Sequence, residues 1–331
     1  SDGGGSILGV AVDNVQILNL TAKDAGITAI SYNSIKNGIS TNGEPVSFLI
    51  QNRGVTITSF DAYYTINGGT PVTQSFTGLS IAPYTSQAFT FTTAIAGATA
   101  GTNTLRVGLP TVNTVANAEP VDTFKTSTFV KASAETQRQG LIEEFSSSTC
   151  SPCRAFNASY DPLCVTLNAD VPGSNFNIIK YQMNWPSPGT DFSYNADGNT
   201  RKSYYGVTGI PEHFVNGVSS NIGWSYPFTA TNTTDFTNEA TGSASQKSFI
   251  DMSGSYTVDT IRKKLGVSLT VTPHFTKTAG YHVYISCMDK HYQNTANTTG
   301  QLDYYHVMRV MLPSASGHAV TSFTDGTAVS Y

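Results

Sequence analysis

Apolar and polar residues alternate with period two along most of the first 130 positions. Val12 to Leu20, Pro45 to Ile50, Asp61 to Ile66, Pro71 to Phe76, Ala88 to Thr92 and Thr104 to Gly108 each read as a strand. Such alternation turns one set of side chains to a core and the other to water. Asn67-Gly68-Gly69 predicts a tight hairpin, because Asn and Gly accept the left-handed backbone that such a turn needs. Strands at this spacing, without helical periodicity, predict an all-β sandwich over residues 1–132. No nucleophile–base set and no metal-ligand spacing occurs there. A spacer or an interaction module, one that could meet a surface partner, fits this segment.

The pattern changes over residues 133–243. Leu141 to Phe145 is an apolar run with β character, followed by the Ser146–Thr149 loop and a helix that begins near Arg154. Asp161-Pro162 is expected to kink that helix or open a new turn, since proline lacks an N–H and its ring crowds the preceding turn. Asn175 to Tyr181 reads as a strand and Thr200 to Tyr205 as a short helix. Glu212 to Asn216-Gly217 reads as a strand with a turn, and Phe228 to Gly242 as a weakly amphipathic helix. Residues 244–331 return to alternation. Leu265, Val267, Leu269 and Val271 share one face of a strand, Val283, Ile285 and Cys287 share one face of Tyr281 to Met288, and Asp303 to Met311 follows. This segment reads as a second, small β-sandwich. Trp185, Tyr204 and Tyr205 read as packing residues and His213 as strand surface, while alternation scatters Asp303, Tyr305, His306 and Arg309 between faces.

Composition adds a location. The chain has 331 residues and a formal charge of −4, so it carries no basic footprint for nucleic acid. Only 12% of residues are charged, against roughly a quarter in an average soluble domain. The polar surface must come from Ser, Thr, Asn and Gly, a habit of extracytoplasmic β-rich proteins. Ser1 to Ser6 reads as a flexible linker, and an export signal, with a lipid-bearing cysteine, is expected upstream of it. The expected location is the periplasm, the outer-membrane surface or the exterior.

Four cysteines are too few for a disulfide scaffold at this length. Cys150-Ser151-Pro152-Cys153 places two thiols at a helix start, where unpaired N–H groups and the dipole favour a thiolate. Such a pair serves thiol–disulfide exchange. It could also be half of a zinc site, but no second pair exists, or an inert structural disulfide. Cys164 and Cys287 read as isolated core thiols, and no metal is expected.

Strand, Cys150-Ser151-Pro152-Cys153 and helix, together with Gly206-Val207-Thr208-Gly209-Ile210-Pro211, resemble the thioredoxin superfamily. A narrower likeness joins Leu141-Ile142-Glu143-Glu144-Phe145 and the cysteine pair, Tyr181, Trp185-Pro186, Asp191, Arg201, Tyr204-Tyr205-Gly206-Val207, Ile210-Pro211, Asn216-Gly217 and Tyr305-His306-Val307-Met308-Arg309. It is to the twenty-eight-kilodalton outer-membrane-protein-related family of the Gram-negative envelope. The first segment, with its extended run, Asn-x-Gly and Tyr64-Thr65-Ile66-Asn67-Gly68, separately resembles immunoglobulin-like adhesion-type modules of secreted bacterial proteins. The expected chain is multidomain: an immunoglobulin-like β-sandwich (1–132), a thioredoxin-like α/β domain (133–243) and a C-terminal β-sandwich (244–331). The thioredoxin resemblance further implies that Cys150 attacks a substrate disulfide, Cys153 resolves it, and Glu144, six residues upstream, moves the proton. Pro211 would be cis beside the sulfurs, the Ile210 backbone would pair with a substrate peptide, and Pro152 would tune the thiolate. The implied function is an extracytoplasmic thiol–disulfide oxidoreductase for protein substrates, served by a redox partner protein and needing no bound cofactor beyond its redox-active disulfide. The Ser146–Thr149 approach, Glu212 after the proline, and an insertion around Trp185 to Thr200 depart from the pattern. The alternative is a non-catalytic cell-surface binding or scaffold protein that keeps only a structural disulfide. Exposure of Cys150 separates the two.

Overall fold

A computed structural model describes residues 22–32, 39–40, 43–119, 121–167, 174, 176–187, 189–220, 230–295 and 297–331. The strand expected at Val12 to Leu20, the linker Ser1 to Ser6, and Asn175 and Phe228 at the starts of expected elements lie outside these residues. The chain divides into two compact units, residues 1–133 and 134–331.

The first unit is all strand: β1 (Ala25–Tyr32), β2 (Ile39–Ser40), β3 (Val46–Asn52), β4 (Ile57–Ile66), β5 (Val72–Ile81), β6 (Ser86–Thr90), β7 (Gly101–Val112), β8 (Val115–Ala116) and β9 (Phe124–Lys131). One sheet runs β1-β3-β6 and the other β2-β9-β7-β4-β5, with β8 on β7. Val46, Phe48 and Ile50 alternate inward from β3 and meet Phe60, Ala62 and Tyr64 of β4 in one core. Phe48, Phe60, Phe76, Phe89 and Phe91 interlock there, with Phe48 and Phe60 edge to face at 6.2 Å. The β4–β5 turn takes the left-handed backbone at Asn67 (φ 52°) and Gly68 (φ 70°). The unit is a β-sandwich.

The second unit contains β10 (Thr136–Gln137), β11 (Gly140–Ser146), α1 (Ser151–Thr166), β12 (Phe176–Gln182), α2 (Ala196–Tyr205), β13 (Glu212–Val215), β14 (Val218–Ser219) and α3 (Ala230–Ser245). It continues with β15 (Lys247–Ser248), β16 (Ile250–Asp259), β17 (Lys264–Pro273), β18 (Lys277–Val283), β19 (Ile285–Gln293), β20 (Asp303–Leu312), β21 (His318–Phe323) and β22 (Val329–Ser330). Its main sheet has the order β14-β13-β11-β12-β20-β19, with β11 parallel to β12 and antiparallel to β13. Phe156, Tyr160 and Cys164 of α1 and Phe236 and Ala240 of α3 pack on one face with Ile142 and Ile178. Phe145, Tyr181, Met183, Phe214 and Met308 pack on the other, where α2 lies and adds Tyr205. Smaller sheets β16-β17-β22 and β18-β21 complete the unit.

Three expectations change. The described residues are mostly strand, with three helices among them, and no α/β domain closes at residue 243. β19 and β20 come from the segment expected to stand apart, yet they finish the main sheet, because β20 bridges to β12 at Lys180–Val307. The division expected at 243/244 therefore runs inside one compact unit. Of the kink or new turn expected at Asp161-Pro162, the new turn does not open: helix α1 continues through Pro162. Asp161 and Cys164 are buried on either side of it, so packing offsets a proline cost of about 3 kcal/mol. Tyr281 to Met288 is two strands, β18 paired with β21 and β19 with β20. Alternation shows which side of a strand is apolar but not which partner it takes.

Candidate functional site

Helix α1 starts at the cysteine pair because Cys150 is its N-cap, in extended backbone (φ −101°, ψ 107°). The Cys153 amide points to Cys150 Sγ at 3.1 Å. Pro152 sits in the first turn, where a missing N–H costs no helical hydrogen bond. Cys150 and Cys153 form a disulfide. Both are buried: Cys150 is 3% exposed and Cys153 0%. The peptide bond between Ile210 and Pro211 is cis. Its Ile210 carbonyl oxygen lies 3.9 Å from Cys150 Sγ, a contact only, since a disulfide sulfur has no hydrogen to donate. Ile210 is half-buried and Pro211 buried.

The loop leading to Cys150 is tied down from two sides. Ser148 N–H donates to Asp191 Oδ2 at 2.6 Å, and Thr149 Oγ1 donates to the Trp185 carbonyl at 2.8 Å. From the β19–β20 turn, Thr299 Oγ1 donates to the Ser148 carbonyl at 2.9 Å. Gly189 lies so close that a Cβ there would meet the Thr149 side chain at 2.8 Å. The Ser146–Thr149 run, which leads into Cys150, is thus held against the segment expected as an insertion. Ser146, Ser147 and Ser148 are all buried.

On the α1 face of β11, Glu144 is fully buried with Oε2 3.0 Å from Lys180 Nζ. Lys180 is also buried, donates to Asn157 Oδ1 at 2.9 Å and makes a short ion pair with Asp161. Burial pulls the Lys180 ammonium down, and the Asp161 and Glu144 carboxylates outweigh it and hold Lys180 charged. Burial raises the Glu144 carboxyl, and Lys180 opposes that rise only in part. One ammonium serves two carboxylates, and Asp161 has the hydrogen bond. Glu144 therefore keeps its proton to higher pH than a solvated glutamate. Burial likewise pushes the Cys164 thiol well up, which makes it inert. His213, expected at the surface, is buried 5.9 Å from the Phe156 ring, with Nε2 3.7 Å from Glu239 Oε2. Paired across β11 and β13 with Glu144, it turns to the same covered face.

On the opposite face the neighbouring Glu143 is bound on all sides. Arg201 Nη2 donates to Oε1 at 2.7 Å, Tyr181 OH donates to the same oxygen at 2.8 Å, and Tyr205 OH donates to Oε2. Arg201 is further enclosed by the rings of Tyr204, Tyr205 and Tyr284, whose centroids lie 4.6, 5.0 and 4.7 Å from Cζ. Tyr204 itself is exposed rather than packed away. Arg309, in the segment read as structural, pairs with Asp289 at 2.6 Å, and His291 with Asp303 at 2.9 Å. No group of three or more His, Cys, Asp or Glu side chains poised to hold a metal ion occurs among the described residues.

The structure brings Cys150, Cys153, Ile210 and Pro211 together, and puts Glu144 in a buried charge cluster with Lys180 and Asp161. Sequence reasoning missed the contacts of Lys180, Asp161, Asn157 and Arg201, the last of which entered only as part of the envelope-family likeness. A signal existed: two adjacent glutamates in an apolar strand face opposite sides, and each needs a cation if both are buried.

No protein-family profile matches the chain, and no curated protein matches it. Among solved structures, it is similar to the CARDB domain of the PF1109 protein from Pyrococcus furiosus, described in complex with di-metal ions. That likeness has 18% identity over 33% of this chain and 92% of that one, at a TM-score of 0.26. A domain of a cell surface protein from Methanosarcina acetivorans shares 22% identity over 34% of this chain and 95% of its own, at a TM-score of 0.27. HBP35 of Porphyromonas gingivalis shares 12% identity over 59% of this chain and 63% of its own, at a TM-score of 0.40. These are weak likenesses, and no function passes through them. The expected membership of the thioredoxin superfamily and of the twenty-eight-kilodalton envelope family is overturned: no family profile matches the chain, and the described residues are mostly strand, with three helices among them.

Proposed function

We propose that this chain is a non-catalytic extracytoplasmic binding or scaffold protein, in which the Cys150–Cys153 disulfide fixes the start of α1 rather than turning over. The observation that carries this reading is the burial of both sulfurs, with Cys150 only 3% exposed and the loop before it tied down by hydrogen bonds. Exchange needs access of a thiolate to a sulfur, and burial of both sulfurs opposes that access. A formed disulfide supports an oxidising location outside the cytoplasm. The first unit, a β-sandwich with an aromatic core and no cluster of chemistry, supports a spacer or recognition role. No helix among the described residues is long and apolar enough to cross a membrane.

One observation favours the catalytic reading. Cys150 is at a helix N-terminus with an amide aimed at its sulfur, which would stabilise a thiolate once the bond were reduced. Insulin reduction with dithiothreitol as electron source separates the two. The scaffold reading expects no rate above the uncatalysed reaction and no difference between wild type and Cys150→Ser. Turnover lost in Cys150→Ser would overturn it.

A further inference from the structure

The two smaller sheets of the second unit share the walls of a cavity. The β16-β17-β22 sheet gives it Val267 and Val329, and the β18-β21 sheet gives it Val283 and Val320. Ile285 and Leu312, paired across β19 and β20, add a further wall. Its volume is about 660 Å³, within the ~300–1,000 Å³ of small-molecule sites. Facing sheets ordinarily fill the ~10 Å between them with interlocking side chains, and interiors leave few voids larger than a water molecule. Here the side chains given by the two sheets are short valines, and the space stays unfilled. The sheets are nevertheless joined beside it. The His318 ring of β21 meets the Tyr331 ring edge to face at 4.8 Å, and the Tyr331 backbone is hydrogen-bonded to Leu269 of β17.

We propose that this cavity binds one unbranched alkyl chain, as in a fatty acid, with the chain among the valines and its polar end in water. The lining selects that chemistry. It includes no Asp, Glu, Lys or Arg, so a charged group drawn inside would lose water and find no partner. It includes no Phe or Trp, and its one tyrosine is engaged with His318, so the walls favour aliphatic contact over ring stacking. The polar lining residues His318, Thr321 and Ser322 are exposed, where the polar end of a ligand keeps its hydration. Buried methylenes then carry the affinity, each tightening binding about fourfold. None of the lining residues is among those around the Cys150–Cys153 pair, so this site goes beyond the scaffold reading and stands whether or not that disulfide turns over.

Isothermal titration calorimetry of the 331-residue chain with decanoate and octanoate tests the proposal. Decanoate is expected to bind with a dissociation constant below about 100 micromolar, and octanoate, two methylenes shorter, about ten- to twentyfold more weakly. Val320→Trp and Val329→Phe, which fill the cavity, should each weaken decanoate at least about tenfold. Tyr256→Ser, at an exposed position outside the cavity, should leave binding unchanged. Circular dichroism confirms that each variant is folded; if neither cavity variant is, the ratio between the two chain lengths decides alone. Absence of decanoate binding up to about 1 mM overturns the proposal. So does equal affinity for the two chain lengths, or binding that survives in both folded cavity variants and is lost in Tyr256→Ser.

Discussion

Glu143 and Glu144 are neighbours on one strand, and the two faces of the sheet treat them differently. Glu143 meets one guanidinium and two phenols, and both its oxygens accept hydrogen bonds. Glu144 meets one ammonium shared with Asp161, 3.0 Å from one of its oxygens, and its other oxygen has no hydrogen bond among the described residues. A buried charge is tolerable when paired and hydrogen-bonded, and costly otherwise. The Glu143 face is a finished structural element. On the Glu144 face, burial raises the carboxyl and Lys180 opposes that rise.

The comparison breaks most sharply at its two cations. Lys180→Met leaves two buried carboxylates without a counter-charge and is expected to cost about 3–5 kcal/mol in urea unfolding. Arg201→Met removes one partner of Glu143 but leaves Tyr181 and Tyr205 in place. It should also destabilise, by the lower end of about 3–5 kcal/mol. The acids sharpen the contrast. Glu143→Gln loses the charge that holds Arg201 and should cost about 2 kcal/mol or more. Glu144→Gln should cost under about 1 kcal/mol or stabilise, because a neutral side chain relieves an unsatisfied carboxylate. Equal losses for the two substitutions would remove the distinction between the faces.

The pH dependence follows from the same asymmetry. Burial raises the Glu144 carboxyl above its ordinary value of 4.5. Between that value and the raised one, the folded state holds more protons than the unfolded state. Stability from this group is therefore full below about pH 4.5 and is lost as pH rises through the folded value. Asp161 is raised by burial too and acts in the same sense. Denaturant midpoints from pH 4 to 8 should fall less steeply in Glu144→Gln than in wild type. A smaller effect belongs to the cystine. Closing so short a loop is worth about 2 kcal/mol, so Cys150→Ala with Cys153→Ala should lower the urea midpoint while keeping the far-ultraviolet spectrum.

Much of this architecture was legible in the residues, and what was not has a physical cause. The Asn67-Gly68 turn and the β3 alternation are local, and both are found where expected. The helix start at Cys150 is local as well, since cap, proline and apolar run lie within a few positions. Continuation of α1 through Pro162 depends on burial of Asp161 and Cys164, which local propensity does not contain. The joining of β20 to β12 and the pairing of Lys180 with Glu144 depend on which strands meet, a tertiary fact. The motif around the cysteines was legible, but the hold on the loop before them was not. Ser148 needs Asp191 and Thr299, 43 and 151 residues away, to be fixed.

The central claim is that the buried cystine is structural, and its reduction potential tests this most directly. The native chain would be equilibrated in glutathione buffers, quenched by alkylation, and the masses of the peptides carrying Cys150 and Cys153 measured. A structural bond buried in this way is predicted to stay oxidised, with a potential below about −300 mV. A potential between about −120 and −270 mV, the range of thiol–disulfide oxidoreductases, with Cys150 alkylated ahead of Cys153, would contradict it.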